Sequence, residues 1–193
     1  MIDYRKIADA IEFYKTRGYT YIETPWTVSE NIDNITKPAD RPHMQLKHNN
    51  KCLVASGEQS FLYLFAKDYL PKGKYQTVTP CFRYEPYDGL HSKCFMKNEL
   101  IITDDVTEEN LKKVINDAKE FFSKYINVKV ECILDTYNKL SPMTYDIVTE
   151  DNNIELGSYG IRTCGFLKWI YGTGVAEPRL SKAIEYKLIN GSL

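Results

Sequence analysis

The 193-residue chain is 43% hydrophobic and 26% charged, which excludes a disordered polypeptide and fits one domain, residues 1–193, with a sizeable core. Its net charge of −1 argues against a broad nucleic-acid footprint, which draws on a basic excess, and leaves only a local patch for RNA contact. No apolar run reaches the roughly 20 residues that span a bilayer, and the N-terminus, MIDYRKIADAIEF, has an early acid and no unbroken apolar stretch, which excludes a secretory signal.

Residues 4–17 read as an amphipathic helix with Ile7, Ile11 and Tyr14 on one face and Gly18 as its stop. Residues 19–23 alternate as a strand and end before Pro25. Residues 31–50 are polar and punctuated by proline, which predicts an excursion with little regular structure. A short strand over 51–55 precedes a helix over 60–70 that closes at PKG. Two strands follow, over 75–85 and 95–102. Thr107 suits an N-cap, with Glu108 and Glu109 in the favourable first turn of a helix. That helix buries Leu111, Val114, Ile115, Ala118, Phe121 and Phe122 at a 3.6-residue period. Residues 128–134 read as a strand, 145–149 and 154–159 as a hairpin closed by EDNN, and 179–188 as a final helix. Strands outnumber helices and tight turns join several neighbours, so the expected fold is α+β on a mostly antiparallel sheet.

The chemistry concentrates in residues 81–99, CFRYEPYDGLHSKCFMKNE. Arg83 and Glu85 have the same strand parity and project from one face. A guanidinium clamps phosphate with its planar fork, Glu85 can accept from an amine, and beyond a polar turn holding His91, Phe95 offers a flat face to a base. Taken alone, Arg83 and Glu85 are as well explained by a solvated ion pair. In IELGSYG, a regular strand puts Glu155, Gly157 and Tyr159 on one face and Ser158 on the other. A carboxylate and a hydroxyl suit Mg²⁺, although an isolated strand Glu is ordinarily a surface residue. In YGTGVAEPRLSKAIE, Gly172 and Gly174 permit close approach of backbone to a ligand, and Arg179 starts a helix whose first turn accepts Pro178. The third glycine of a dinucleotide loop would fall on Glu177, so that fingerprint fails, and no Walker sequence is present. Cys52, Cys81, Cys94, Cys132 and Cys164 are scattered and odd in number, which points to reduced thiols. No close Cys or His pairing marks a metal site, and Cys81 and Cys132, in apolar strands, read as core thiols.

The run from Arg83 and Glu85 through His91 to Phe95 resembles motif 2 of the class II aminoacyl-tRNA synthetases, with the short spacing of the pyrrolysyl-type enzymes. Gly172, Gly174 and Arg179 resemble motif 3, with Ala176 and Pro178 departing from the usual small and acidic residues. YKTRGYTYIETP resembles motif 1, marked by Pro25, and LVASGEQSFL resembles the segment that holds the substrate amino group. The resemblance spans about residues 10–188.

This resemblance implies the class II synthetase-like antiparallel sheet flanked by helices, and ATP-dependent activation of an amino acid or related acid as its adenylate. Arg83 would neutralise the α-phosphate, Arg179 and His91 would hold the outer phosphates, and Glu155 and Ser158 would hold Mg²⁺. Glu85 would meet the adenine amine, Phe95 and Arg179 would sandwich the ring, and Gly174 would lie against the nucleotide. Ser56 and Glu58 would receive the substrate amino group, although Glu58 equally suits the first turn of the following helix. The side-chain pocket would draw on Tyr145, Ile147, Tyr159 and the 31–50 excursion. A cytoplasmic homodimer built on motif 1 is also implied, with tRNA, a carrier protein or a small molecule as acceptor and no segment left for anticodon binding or editing. The alternative is a non-catalytic paralogue acting as a regulatory or nucleic-acid-binding subunit, which has no need of the Mg²⁺ ligand. A biotin- or lipoate-ligase-like enzyme ranks lower, because no Gly-rich biotin loop is present.

Overall fold

The computed structural model describes residues 1–38, 41–84, 89–134 and 140–190. It opens with α1 (Tyr4–Thr16), capped by Asp3, whose side chain accepts from the Arg5 amide at 3.0 Å. Ile7, Ala10, Phe13 and Tyr14 are buried, and Gly18 turns the chain out of the helix at φ 82°. Then come β1 (Thr20–Tyr21), β2 (Thr27–Ser29), α2 (Glu30–Thr36) and β3 (Lys51–Leu53). The excursion over 31–50 is therefore more regular than expected. It contains most of α2, β2 and β3 pair antiparallel around it, and Gln45 bridges to Cys52. Polarity hid α2 because its one buried side chain is a carboxylate, Asp33, which accepts from Gln59 Nε2 at 2.7 Å.

α3 (Gly57–Ala66) begins earlier than expected and brings Glu58 into its first turn. β4 (Lys74–Phe82) and β5 (Cys94–Ile102) form the antiparallel pair foreseen around residues 81–99. α4 (Glu108–Ser123) is capped by Thr107, which accepts from the Asn110 amide at 3.2 Å, and it buries the six apolar residues its periodicity predicts. β6 (Val128–Leu134), β7 (Met143–Thr149), β8 (Glu155–Cys164), β9 (Leu167–Glu177) and α5 (Arg179–Asn190) complete the chain. Among the described residues, the main sheet has seven strands in the order β1-β4-β5-β9-β8-β7-β6, with β1 parallel to β4 and every other pairing antiparallel.

Alternating residues divide this sheet into two faces. Leu100, Ile102, Ile147, Tyr159 and Ile170 join α1, α4 and α5 in the larger core, through Tyr14, Phe121, Phe122 and Leu180. Ile101, Trp169 and Tyr171 face the other way and meet Phe61 and Leu62 of α3. α3 covers only part of that second face, and Lys97, Glu99, Thr173 and Ser158 lie on the remainder. Cys81 is buried as expected, but Cys132 is exposed because β6 is the outer strand of the sheet.

Candidate functional site

Two adjoining cavities open on the uncovered part of the second face. The larger, of about 290 Å³, is walled by α2 and the segment after it, through Asp33, Lys37 and Met44, and floored by Glu58, Glu99 and Arg162. The smaller, of about 50 Å³, lies between Phe95, Glu155, Thr173 and Arg179. Arg83 and Lys97 line both, so two cations stand at their junction.

Local structure explains this placement. Phe95, Lys97 and Glu99 alternate along β5 and share the face that bears Thr173 of β9. The Arg83 Nε donates to the Ala55 carbonyl at 3.2 Å, and its guanidinium lies 5.2 Å from the centre of the Phe95 ring. The Lys97 ammonium is 2.9 Å from the Glu99 carboxylate, and both side chains are buried. Burial pushes the Glu99 carboxyl above its ordinary range, the Lys97 charge pulls it back, and the nearby Glu58 charge adds to the rise.

Glu58 is nearly sealed from solvent. One oxygen accepts from Trp169 Nε1 at 2.6 Å and the other pairs with Arg162. Arg162 in turn lies 3.9 Å from the centre of the Tyr171 ring. Glu58 thus stands in the first turn of α3, and both its oxygens already have partners within the chain. Ser56 is the N-cap residue of α3 and lines the larger cavity with it.

The strand carrying Glu155 departs from the regular geometry assumed for it. Ile147 pairs with Gly157 and Val148 with Glu155, so Leu156 is the extra residue of a β-bulge and turns into the main core. The bulge reverses the parity and places Glu155 on the face of Ser158. Asp146 lies opposite Ser158 on β7 and had not been singled out. Its carboxyl is pushed up to about 6, first by burial and then by the Glu155 charge, while a hydrogen bond from Ser158 opposes the rise. Arg179, at the start of α5, donates to the Glu155 carbonyl at 3.2 Å.

Several expected roles do not survive. Tyr159 lies on the core face, with no exposed surface to speak of, and its hydroxyl donates to the Thr173 carbonyl at 2.6 Å, so it reaches neither cavity. Ile147 is a core residue, and Tyr145 packs against the same core. The stretch around Gly172 and Gly174 is strand, not loop. Gly174 is the extra residue of a second bulge, between the pairs Asn98–Val175 and Glu99–Thr173. A Cβ at Gly174 would come within 2.0 Å of Asn98 Oδ1, so this glycine makes room for a protein side chain, not a ligand. His91 is half-buried and lines neither cavity, and Glu85 lies outside the described residues. Arg83, Phe95, Glu155 and Arg179 do come together around the smaller cavity, and Ser56, Glu58 and Ser158 around the larger.

Comparison of folds places this arrangement. The chain superimposes on a cytoplasmic serine-tRNA ligase of Naegleria fowleri in complex with AMP, with a TM-score of 0.73 and 20% identity, over 92% of this chain and 52% of that one. The seryl-tRNA synthetase of Pyrococcus horikoshii complexed with ATP gives 0.74 and 16% over 91% and 48%. The pyrrolysyl-tRNA synthetase of Desulfitobacterium hafniense gives 0.71 and 16% over 94% and 69%. The fold is therefore that of the class II aminoacyl-tRNA synthetase catalytic domain, as the motifs implied, and the chain spans about half the length of the two seryl enzymes. No protein-family model and no curated protein matches the sequence.

Proposed function

We propose that this chain activates an amino acid, or a related carboxylic acid, by reaction with ATP. The observation that carries the reading is the sharing of Arg83 and Lys97 between the two cavities. An acid in the larger cavity and a nucleotide in the smaller would meet at these cations. A carboxylate oxygen of the acid attacks the α-phosphorus of ATP, the bond to the bridging oxygen breaks, and pyrophosphate leaves with that electron pair. Both reactants are anionic, so cations fixed at the junction reduce their repulsion and stabilise the charge that builds up in the transition state.

Each neighbouring group has a part in this scheme. Phe95 and Arg179 face the base and the outer phosphates. Arg83 now covers the Phe95 ring, so base binding would turn the guanidinium toward the α-phosphate. Glu58 and Glu99, on the floor of the larger cavity, suit a substrate ammonium. Glu155, Ser158 and Asp146 form an all-oxygen set with two carboxylates on one face, which fits Mg²⁺. When bound, Mg²⁺ supplies charge neutralisation across the phosphate oxygens. Transfer of the acyl group to tRNA, a carrier protein or a small molecule completes the reaction, and a cytoplasmic homodimer through α1 and β1 is part of the same proposal.

The experiment is ATP–pyrophosphate exchange across a panel of amino and other carboxylic acids. Exchange with at least one acid, lost in Arg83→Ala, is expected. Absence of exchange with every acid, together with absence of ATP binding, would favour the non-catalytic paralogue.

A further inference from the structure

We propose that Asp33, His43 and Cys52 form a zinc site that ties together the wall of the larger cavity. One donor comes from α2, one from the connection that follows it and one from β3, and the donor atoms all lie within 4.8 Å of one another. Asp33 Oδ2 and His43 Nδ1 are in direct contact, and Cys52 Sγ lies 3.7 Å from the same nitrogen. Tetrahedral zinc, with bonds of about 2.0–2.3 Å, sets its donor atoms about 3.5 Å apart. The Cys52–His43 spacing already matches, and the Asp33–His43 contact needs only to open. A thiolate, an imidazole and a carboxylate together are a set that zinc favours over Mg²⁺ or Ca²⁺.

The surroundings are built as metal sites are built. The far nitrogen of His43, Nε2, is 3.5 Å from Glu30 Oε1, and the second Asp33 oxygen accepts from Gln59 Nε2 at 2.7 Å. Gln59 is itself fixed, since its Oε1 accepts from the Ala55 amide at 2.7 Å. A carboxylate behind a ligating histidine and an amide behind a ligating carboxylate set ring and oxygen directions in advance. Asp33 and Cys52 are 3% and 0% exposed, so these groups sit in the interior, where a metal satisfies all of them at once. Three protein donors leave the fourth position to water. The site links the two ends of the segment that supplies Asp33, Lys37, Met44 and Leu53 to the cavity, so the metal would hold that wall in place. Nothing in this depends on the adenylation reading.

The test uses the purified full chain. Elemental analysis after growth with zinc should give one zinc per chain. Replacement by Co²⁺ should give the visible bands of a tetrahedral ion and a near-ultraviolet thiolate-to-metal band. Cys52→Ser and His43→Gln should abolish the thiolate band and the bound zinc respectively, whereas Cys164→Ser, at an exposed thiol, should keep both. Glu30→Gln, at a half-exposed surface position, should fold normally and weaken Co²⁺ binding about tenfold by freeing the imidazole. It decides the matter should Cys52→Ser fail to fold. A wild-type chain without stoichiometric zinc and without the Co²⁺ thiolate band would overturn the proposal, as would a band that survives Cys52→Ser or an affinity unmoved by Glu30→Gln.

Discussion

At the scale of single residues, two environments make sharp claims. Gly174 fills a bulge against Asn98, where an added Cβ would meet Oδ1 at 2.0 Å while the Tyr14 hydroxyl donates to the Gly174 carbonyl at 3.1 Å from the same side. Neither neighbour has room to retreat, since Asn98 is buried and donates to Gln76 Oε1 at 3.0 Å. Gly174→Ala should therefore cost about 1–3 kcal/mol, read as a fall in the urea midpoint at unchanged slope. A glycine serving only nucleotide approach would leave stability untouched. The cysteines divide by burial in a second measurable way. Burial pushes the Cys81 thiol up to about 11, with Lys97 and Arg83 pulling it back, whereas Cys94, Cys132 and Cys164 are exposed. Brief alkylation of the native chain followed by peptide mass spectrometry should label those three and spare Cys81. Labelling of Cys81 at a comparable rate would contradict the core described here.

At the scale of elements, legibility follows the range of the interaction that decides each one. α4 is read correctly because its cap, its acidic first turn and its buried stripe all lie within its own sequence. The bulge at Leu156 cannot be read from IELGSYG, because it exists only in the pairing of β8 with β7, and it reverses the face of Glu155. The same holds for the bulge at Gly174, so motif-like glycines were assigned to a ligand that in fact accommodate Asn98 and Tyr159. Lys97 and Glu99 were within reach of the sequence, since they continue the parity of Phe95. The pairing of Arg162 with Glu58 joins positions 104 apart and only the folded sheet brings it about. An element-level prediction follows at the junction of β9 and α5. Glu177 is buried, and its carboxylate accepts from the Ser181 hydroxyl at 2.7 Å, the Ser181 amide at 3.2 Å and the Asp3 amide at 3.3 Å. Burial pushes this carboxyl above its ordinary value, and those donors only partly offset it. The folded chain therefore holds the proton to higher pH than the unfolded chain does. That contribution to stability is present below the ordinary carboxyl range and is lost as pH rises through the raised value. Glu177→Gln cannot titrate, so its melting temperature relative to wild type should rise between about pH 4 and about pH 7. A difference that stays flat across that range would refute the raised carboxyl.

At the scale of the whole molecule, the sheet is asymmetric in what covers it. One face is closed by α1, α4 and α5 over an aromatic core, and the other is closed by α3 only in part, leaving a floor of alternating polar residues. The rigid side supplies stability and the open side supplies chemistry, and the cavities are separable because only Arg83 and Lys97 belong to both. This separation predicts a pattern across variants that a loss of folding cannot imitate. Met44 lines the larger cavity alone, so Met44→Trp should raise the KM for the acid or abolish exchange while ATP binding, followed by calorimetry, stays near wild type. Arg179 lines the smaller cavity alone, so Arg179→Ala should raise the KM for ATP and leave that for the acid unmoved. Arg83 stands at the junction, where charge develops as the carboxylate attacks. Its replacement by Ala should lower kcat by about 10²–10³-fold, the usual effect of losing one preorganised charge-stabilising donor. Substrate binding should weaken less, because Lys97 remains between the cavities. If Arg83→Ala altered only the KM for ATP and left kcat intact, the guanidinium would serve nucleotide binding alone, and the junction would have to be sought at Lys97.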